Sequence, residues 1–380
     1  MAKIAEEHRW PCTSCGADLT YAPGQTELVC QHCGHAQAIT AAKPSTKERA
    51  LGEIPLARGL ADAEDTAISD EVRTSSCPSC GAVVEFSGAG HSAECPFCAT
   101  PVVVDTGTHR RLKPQALVPF AITEDQARDG LYKWLGSLWF APNGLLEYTR
   151  KGRSMAGIYV PFWSFDSDTT SRYTGQRGEH YYETRTVSVV VDGKRQNREE
   201  RVQKTRWYPA SGRVARFFDD MLVMASKSLP KRLGNDLTPW DLAKLEPYSP
   251  DYLAGFQAEG YTVLLPEGHE EARGRMEQII EQDVRRDIGG DEQRVSSVDT
   301  DWRDETFKHI LLPVWTAAYK YSGKSYQFLV NGQTGEVQGE RPYSWWKISF
   351  AVLAVAALVL GAVYLNDPST LGLPTPSWMN

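Results

Sequence analysis

Outside four Cys-x2-Cys pairs the 380-residue chain has no cysteine, so no thiol is left over as a lone nucleophile or a stray bridge partner. It also lacks a basic surplus: 41 Lys+Arg face 48 Asp+Glu, a formal charge of −7. Phosphate neutralisation needs clustered cations, so nucleic acid is not the expected partner. Residues 1–105 hold 7 Lys+Arg against 14 Asp+Glu, which accounts for the whole excess. The first ten residues carry Lys3, Glu6, Glu7, His8 and Arg9 and no apolar core, so no secretory leader is expected there. The bulk of the chain is then expected on the cytoplasmic side, in a reducing compartment where cysteines serve as metal ligands more often than as disulfides.

Catalytic signatures are missing as well. Ser322-Gly323-Lys324-Ser325 resembles the end of a phosphate-binding loop, but the required earlier glycine falls at Ala318 and the surroundings read as strand. His269-Glu270-Glu271 has no second histidine to complete a zinc-protease helix. There is no Gly-x-Ser-x-Gly elbow. Asp166 and Asp168 form an Asp-x-Asp pair, which in a loop is ordinarily solvated. No nucleophile, base and oxyanion set assembles, and the expectation is a non-enzyme.

The cysteines are the strongest signal. Cys12, Cys15, Cys30 and Cys33 read C-x2-C-x14-C-x2-C, and Cys77, Cys80, Cys95 and Cys98 repeat the pattern 65 residues later. Ser14-Cys15-Gly16-Ala17 matches Ser79-Cys80-Gly81-Ala82, and Tyr21 aligns with Phe86, so the segment is an internal duplication. Two cysteines three apart on a tight turn aim both sulfurs at one point. Gly16, Gly34 and Gly81 follow three of the knuckles, while Ala99 follows the fourth. Four thiolates close a tetrahedral shell and leave no open position, so each set predicts one structural zinc, two zinc ions in all. His32 and His35 flank the first set as bystanders, and iron in a rubredoxin-like site is the minor alternative.

Ile348 to Asn366 contains no charged residue, and its 18-residue core from Ile348 to Leu365 would span about 27 Å as a helix. Tyr343, Trp345, Trp346 and Tyr364 flank it as interfacial aromatics do. Arg341 and Lys347 precede it and Asp367 follows, so the positive-inside rule places the N-terminal bulk in the cytoplasm. The expectation is a single-pass helix in a bacterial inner membrane, in contact with lipid.

The middle reads as α+β. Thr123-Glu-Asp-Gln126 is a capping box, and Ala127, Leu131, Trp134, Leu135 and Leu138 mark one face of a helix over 124–139. Val187 to Val191 is strand-like and ends at the turn signal Asp192-Gly193. Residues 267–288 form an amphipathic helix with Met276, Ile279, Ile280 and Val284 inward, stopped by Gly289-Gly290. Tyr159-Val-Pro161-Phe-Trp163 resembles Leu311-Leu-Pro313-Val-Trp315, which suggests two related halves whose tryptophans pack in the core. Basic clusters occur at Arg110, Arg111 and Lys113, at Arg150, Lys151 and Arg153, and at Arg195, Arg198, Arg201, Lys204 and Arg206. The last alternates with acids as a solvated hairpin does, with anionic headgroups or an acidic partner as the sharper reading.

The expected architecture is therefore α+β: two small N-terminal zinc ribbons, an antiparallel-sheet-rich middle domain and one C-terminal transmembrane helix. The boundaries are zinc ribbon 1 at 1–40, a linker at 41–74, zinc ribbon 2 at 75–105, the middle domain at 110–342, the transmembrane helix at 345–366 and a short far-side tail at 367–380. The two four-cysteine sets, the Tyr-x-Pro-Phe-Trp and Leu-Pro-Val-Trp segments, Val330-Asn-Gly-Gln-Thr-Gly-Glu-Val337 and the terminal apolar stretch together resemble a family of bacterial double-zinc-ribbon membrane proteins with transcription-factor-IIB-type ribbons. That resemblance covers nearly the whole chain. Such proteins occur beside SPFH-domain and phage-shock-type membrane-stress proteins and are often labelled primosomal replication-restart helicases; this chain has no helicase motor motifs. The resemblance implies an adaptor that recruits an SPFH-like or membrane-stress partner. The alternative is a tethered nucleic-acid-binding ribbon protein of replication or transcription.

Overall fold

Thr123 starts a helix because its hydroxyl accepts the Gln126 N–H while the Gln126 side chain accepts the Thr123 N–H. This local rule operates inside a larger design visible in the computed structural model, which describes residues 10–40, 43–64, 70–76, 83–85, 92–94, 101–103, 108–138, 155–191, 194–321, 324–340 and 345–366. A small antiparallel sheet comes first: β1 (Leu19–Tyr21), β2 (Glu27–Cys30) and β3 (Ala36–Ala38). The connecting segment holds α1 (Pro44–Leu51), β4 (Ile54–Pro55) and α2 (Leu56–Glu64). Five short strands follow: β5 (Asp70–Ser76), β6 (Val83–Glu85), β7 (Ser92–Glu94), β8 (Pro101–Val103) and β9 (Thr108–Arg111).

The body begins with β10 (Ala116–Leu117), α3 (Glu124–Ser137), β11 (Ala156–Val191) and β12 (Lys194–Met224). After α4 (Lys231–Asn235) and β13 (Glu246–Pro247) come β14 (Gln257–Ala258), α5 (Leu265–Ile288), β15 (Glu292–Tyr321), β16 (Lys324–Asn331) and β17 (Val337–Gly339). Last is α6 (Trp345–Asn366). The main sheet has nine strands, with β12, β11, β15, β10 and β13 in order and β4, β14, β16 and β17 attached off that path.

The body is an interlocked tandem repeat. One unit is β10–α3–β11–β12 and the other is β14–α5–β15–β16. Val160 and Leu312 occupy the same place in the two Pro-Trp segments and face each other across the β11–β15 ladder, so a local two-fold passes between them. Ala116 and Leu117 pair in parallel with Ile310 and Leu311, as Gln257 and Ala258 pair with Ile158 and Tyr159. Each short strand thus lies against the long strand of the other unit. The Trp163 indole donates to the Val263 carbonyl at 2.9 Å, and the Trp315 indole donates to the Ile122 carbonyl at 3.1 Å. Each of these carbonyls sits just before its helix. The N–H groups of Ala121 and Ile122 donate to the Gly332 carbonyl, and those of Thr262 and Val263 donate likewise to Ala225. Two buried tryptophans that satisfy their N–H in this way hold the halves in register.

Helix α5 buries Leu265, Ala272, Met276, Ile280, Val284 and Ile288 against Trp163, Phe165, Tyr173, Phe218 and Phe307. Arg216 clamps Asp283 with two hydrogen bonds of 2.6 and 2.8 Å, and the Tyr173 hydroxyl donates to Asp287. Beyond Gly178, the last β11 residue paired with β15, the β11–β12 hairpin continues alone through 179–191 and 194–206. At ~3.3 Å per residue this arm projects about 40 Å. Its outer strand is crowded with charge, and Pro209 near its base removes one N–H, both of which blunt an open edge.

The connecting segment 43–64 is docked on the body. Lys47 pairs with Glu246 at 2.7 Å, β4 pairs with Thr306 and Phe307 of β15, and Leu56 is buried. At the C-terminus the structure corrects the expected fold class: among the described residues, no helix is long and apolar enough to cross a membrane. Helix α6 does form over the apolar stretch, and Phe350, Leu353 and Leu358 on it are exposed. The single-pass transmembrane helix at 345–366 is withdrawn.

Candidate metal centre

The first four cysteines are held by two knuckles of the same design. The Gly16 N–H donates to the Cys12 carbonyl at 2.8 Å and the Gly34 N–H to the Cys30 carbonyl at 2.9 Å. The Cys12 N–H donates to Ala17 at 2.7 Å and the Cys30 N–H to His35 at 2.8 Å. Both turns need a left-handed residue after the second cysteine, and Gly16 (φ 76°) and Gly34 (φ 73°) supply it without strain. The first knuckle leads into β1 through the Pro11–Asp18 bridge, and the second links β2 to β3. Pairing of Leu19 with Cys30 sets the two knuckles side by side.

Their sulfurs converge. Cys12 and Cys33 lie 3.6 Å apart and Cys15 and Cys30 3.5 Å apart, with all four Sγ atoms within 4.8 Å of one another. A tetrahedron with Zn–S bonds of ~2.3 Å has S–S edges of about 3.8 Å, so the set fits one zinc ion. Cys12 and Cys30 are buried, and Cys15 and Cys33 are exposed. The Cys33 and His32 N–H groups draw the Cys30 thiol down to about 6. The Ala17 N–H pulls Cys15 the same way, but the crowding sulfurs of Cys33 and Cys30 outweigh it and push that thiol up to about 12. One thiolate is favoured and the next is resisted, a conflict that a divalent cation at the centre removes. His35 donates to or accepts from Thr13 at 3.0 Å across the knuckles and is not one of the converging ligands.

This ribbon shares its core with the body. Leu19, Tyr21, Leu28, Cys12 and Cys30 belong to one buried cluster with Leu117, Phe120, Tyr159 and Trp315. Tyr21 inserts between Tyr252 and Phe256, with ring centroids 5.3 and 6.2 Å away, and its hydroxyl reaches the Gln25 and Phe120 carbonyls at 2.9 and 3.3 Å. Burial raises its phenol above the ordinary range. The Tyr21 N–H donates to Ala254, the Gly24 N–H to Phe120, and the Trp10 indole to Asp251. Beside this joint a cleft of about 440 Å³ runs between Thr20 and Gln31 on the ribbon and Glu124, Phe256 and Trp315 on the body.

Cys77, Cys80, Cys95 and Cys98 lie outside the described residues. The strands that flank them are described, and they repeat the first ribbon at the same 65-residue offset. The Pro11–Asp18 bridge corresponds to the Ser76–Val83 pair, and Val29–Ala36 corresponds to Glu94–Pro101.

A second cluster gave no clear sign in the sequence. Asp166, Asp219 and Asp220 place carboxylate oxygens within 4.8 Å of one another where β11, β12 and β15 all lose register. Asp220 there is left-handed at φ 53°. The Lys308 ammonium already lies among them, 3.2 Å from Asp220, 3.8 Å from Asp166 and 3.5 Å from Glu53. Burial pushes the Asp166 carboxyl up to about 6, against the opposing pull of the Asp220 N–H and of Lys308. Asp168, its partner in the Asp-x-Asp pair, is half-exposed 3.7 Å from Arg303.

No family model and no solved structure matches the chain. The chain is similar to the uncharacterized protein YdjG of Bacillus subtilis (strain 168), at 24% identity over 365 residues that cover 93% of this chain and 98% of that one. The likeness runs along most of the chain and carries no statement of activity.

Proposed function

We propose that this is a non-catalytic adaptor built on two zinc ribbons. The observation that carries the reading is the closed set of Cys12, Cys15, Cys30 and Cys33: four converging sulfurs leave no position for substrate or water. A second zinc at Cys77, Cys80, Cys95 and Cys98 is supported by the matching registers of the strands around them. The first ribbon is mounted rigidly on the body, and the β11–β12 arm carries exposed charges of both signs, including Arg198, Glu199, Glu200 and Arg201. A mixed, polar and projecting surface suits a protein partner. The family resemblance suggests an SPFH-domain or membrane-stress protein. The reading does not require a membrane-spanning helix.

The test is a pull-down of the full-length protein in mild detergent beside a variant with Cys12, Cys15, Cys77 and Cys80 changed to Ser. A specific protein lost with the ribbons supports the adaptor. Ribbon-dependent co-purification of nucleic acid, with no protein partner, replaces it with the nucleic-acid reading.

A further inference from the structure

We propose that the metal of the first ribbon locks the seam between the two repeat units, so that its loss loosens the body as well as the ribbon. The inference rests on the zinc reading of Cys12, Cys15, Cys30 and Cys33. A ribbon of this size has almost no core of its own, and its fold depends on the metal. Its three strands hold Leu19, Tyr21 and Leu28, and all three side chains point into the body's cluster.

Tyr21 is the bolt. It reaches the place where the repeat units interlock: Phe120 just before α3 stacks on Phe256 just before β14, with centroids 4.3 Å apart. Phe120 also meets Tyr159 of β11 at 5.1 Å and Trp315 of β15 at 5.0 Å. Four aromatics from both units therefore converge, and the ribbon covers them. The two-fold relates this seam to a second one, where Tyr261 stands for Phe120 and Trp163 for Trp315, at 5.2 Å. That seam lies under Leu112 and the segment around Leu56, with no cysteine ligand among its buried residues. Of the two described seams, one has a metal-dependent cover. When the knuckles lose their ion, each turn keeps its own backbone hydrogen bonds, but the Cys15 and Cys33 turns lose the cross-link that ties one to the other. The Tyr21–Ala254 and Gly24–Phe120 hydrogen bonds then lose the strand pairing that aims them.

Hydrogen exchange by mass spectrometry on the full chain tests this, with zinc counted in each sample, before and after treatment with a chelator. The lock predicts faster exchange, by about tenfold or more, at the Ala121 and Phe256 amides of the seam as well as in β1–β3. The amides of α5 around Ile280 stay protected. In Tyr21→Ala the seam amides exchange fast while zinc is retained. Chelation that deprotects the ribbon and leaves Ala121 and Phe256 unchanged overturns the lock and leaves the zinc reading intact. Loss of protection in α5 at the same time also overturns it, since that is global unfolding. An untreated ribbon without metal removes the zinc reading and the lock together.

Discussion

At the scale of residues, the site read from the sequence and the cluster missed by it differ in how they are encoded. Cys12 and Cys15, or Cys30 and Cys33, are three apart, and their geometry is a property of one turn each, so the spacing alone announces the chemistry. Asp166, Asp220 and Lys308 come from three strands far apart in the chain and meet only because each strand breaks register at one level. The Lys308 ammonium lies among the carboxylates of Asp166, Asp220 and Glu53, and replacing it by Met leaves buried negative charge unpaired. Lys308→Met is expected to cost ~3–5 kcal/mol in urea unfolding at pH 7.5. Asp166 has the opposite sign. Its folded carboxyl is raised to about 6, above the ordinary ~3.9 of an unfolded aspartate, so its charged form opposes folding. Its contribution to stability therefore improves as pH falls from about 7 towards about 4. Asp166→Asn is expected to be as stable as the wild type or more so at pH 7.5, and to lose that advantage by pH 4.5. An Asn variant that is weaker at pH 7.5 and equal at pH 4.5 would reverse the assignment.

At the scale of elements, helices were legible because their signals are local. The Thr123 box and the apolar spacing of Met276, Ile280 and Val284 mark α3 and α5, and the structure places both within a few residues of the expected bounds. Ile280 is 1% exposed beneath α5, and Ile280→Ala is expected to lower stability by ~2–5 kcal/mol, read from the denaturation midpoint. The strands were less legible. A period of two says which face a residue takes and not how far a strand runs, so the 36 residues of β11 could not be counted from the Val187–Val191 run. The arm is tied to the body at its base, where His180 and Thr205 bond Asp291 and Glu292, and beyond that point an isolated two-stranded hairpin adds little stability. Replacing 184–201 by an Asn-Gly turn that joins Glu183 to Val202 is expected to leave the melting temperature within about 2 °C of the wild type and to weaken partner capture. A large drop in melting temperature would show that the arm supports the fold.

At the scale of the whole molecule, the weak echo between the Tyr159–Trp163 and Leu311–Trp315 segments turned out to organise the body. Its physical content is that each tryptophan satisfies its N–H on the other unit, which neither segment reveals by itself. The terminal apolar stretch taught the reverse. An uncharged run near the length of a bilayer core was the basis for a membrane-spanning helix, and among the described residues no helix meets that requirement. The mounting of the first ribbon was also hidden, because Tyr21 and Phe120 are far apart in sequence and join only in the folded chain.

The central claim is that Cys12, Cys15, Cys30 and Cys33 hold a structural zinc ion on the body. Native mass spectrometry of the full-length protein beside Cys12→Ser/Cys30→Ser measures it directly. The account predicts two zinc ions per wild-type chain and one in the variant. Equal zinc in both, or a wild-type chain without zinc, would contradict it.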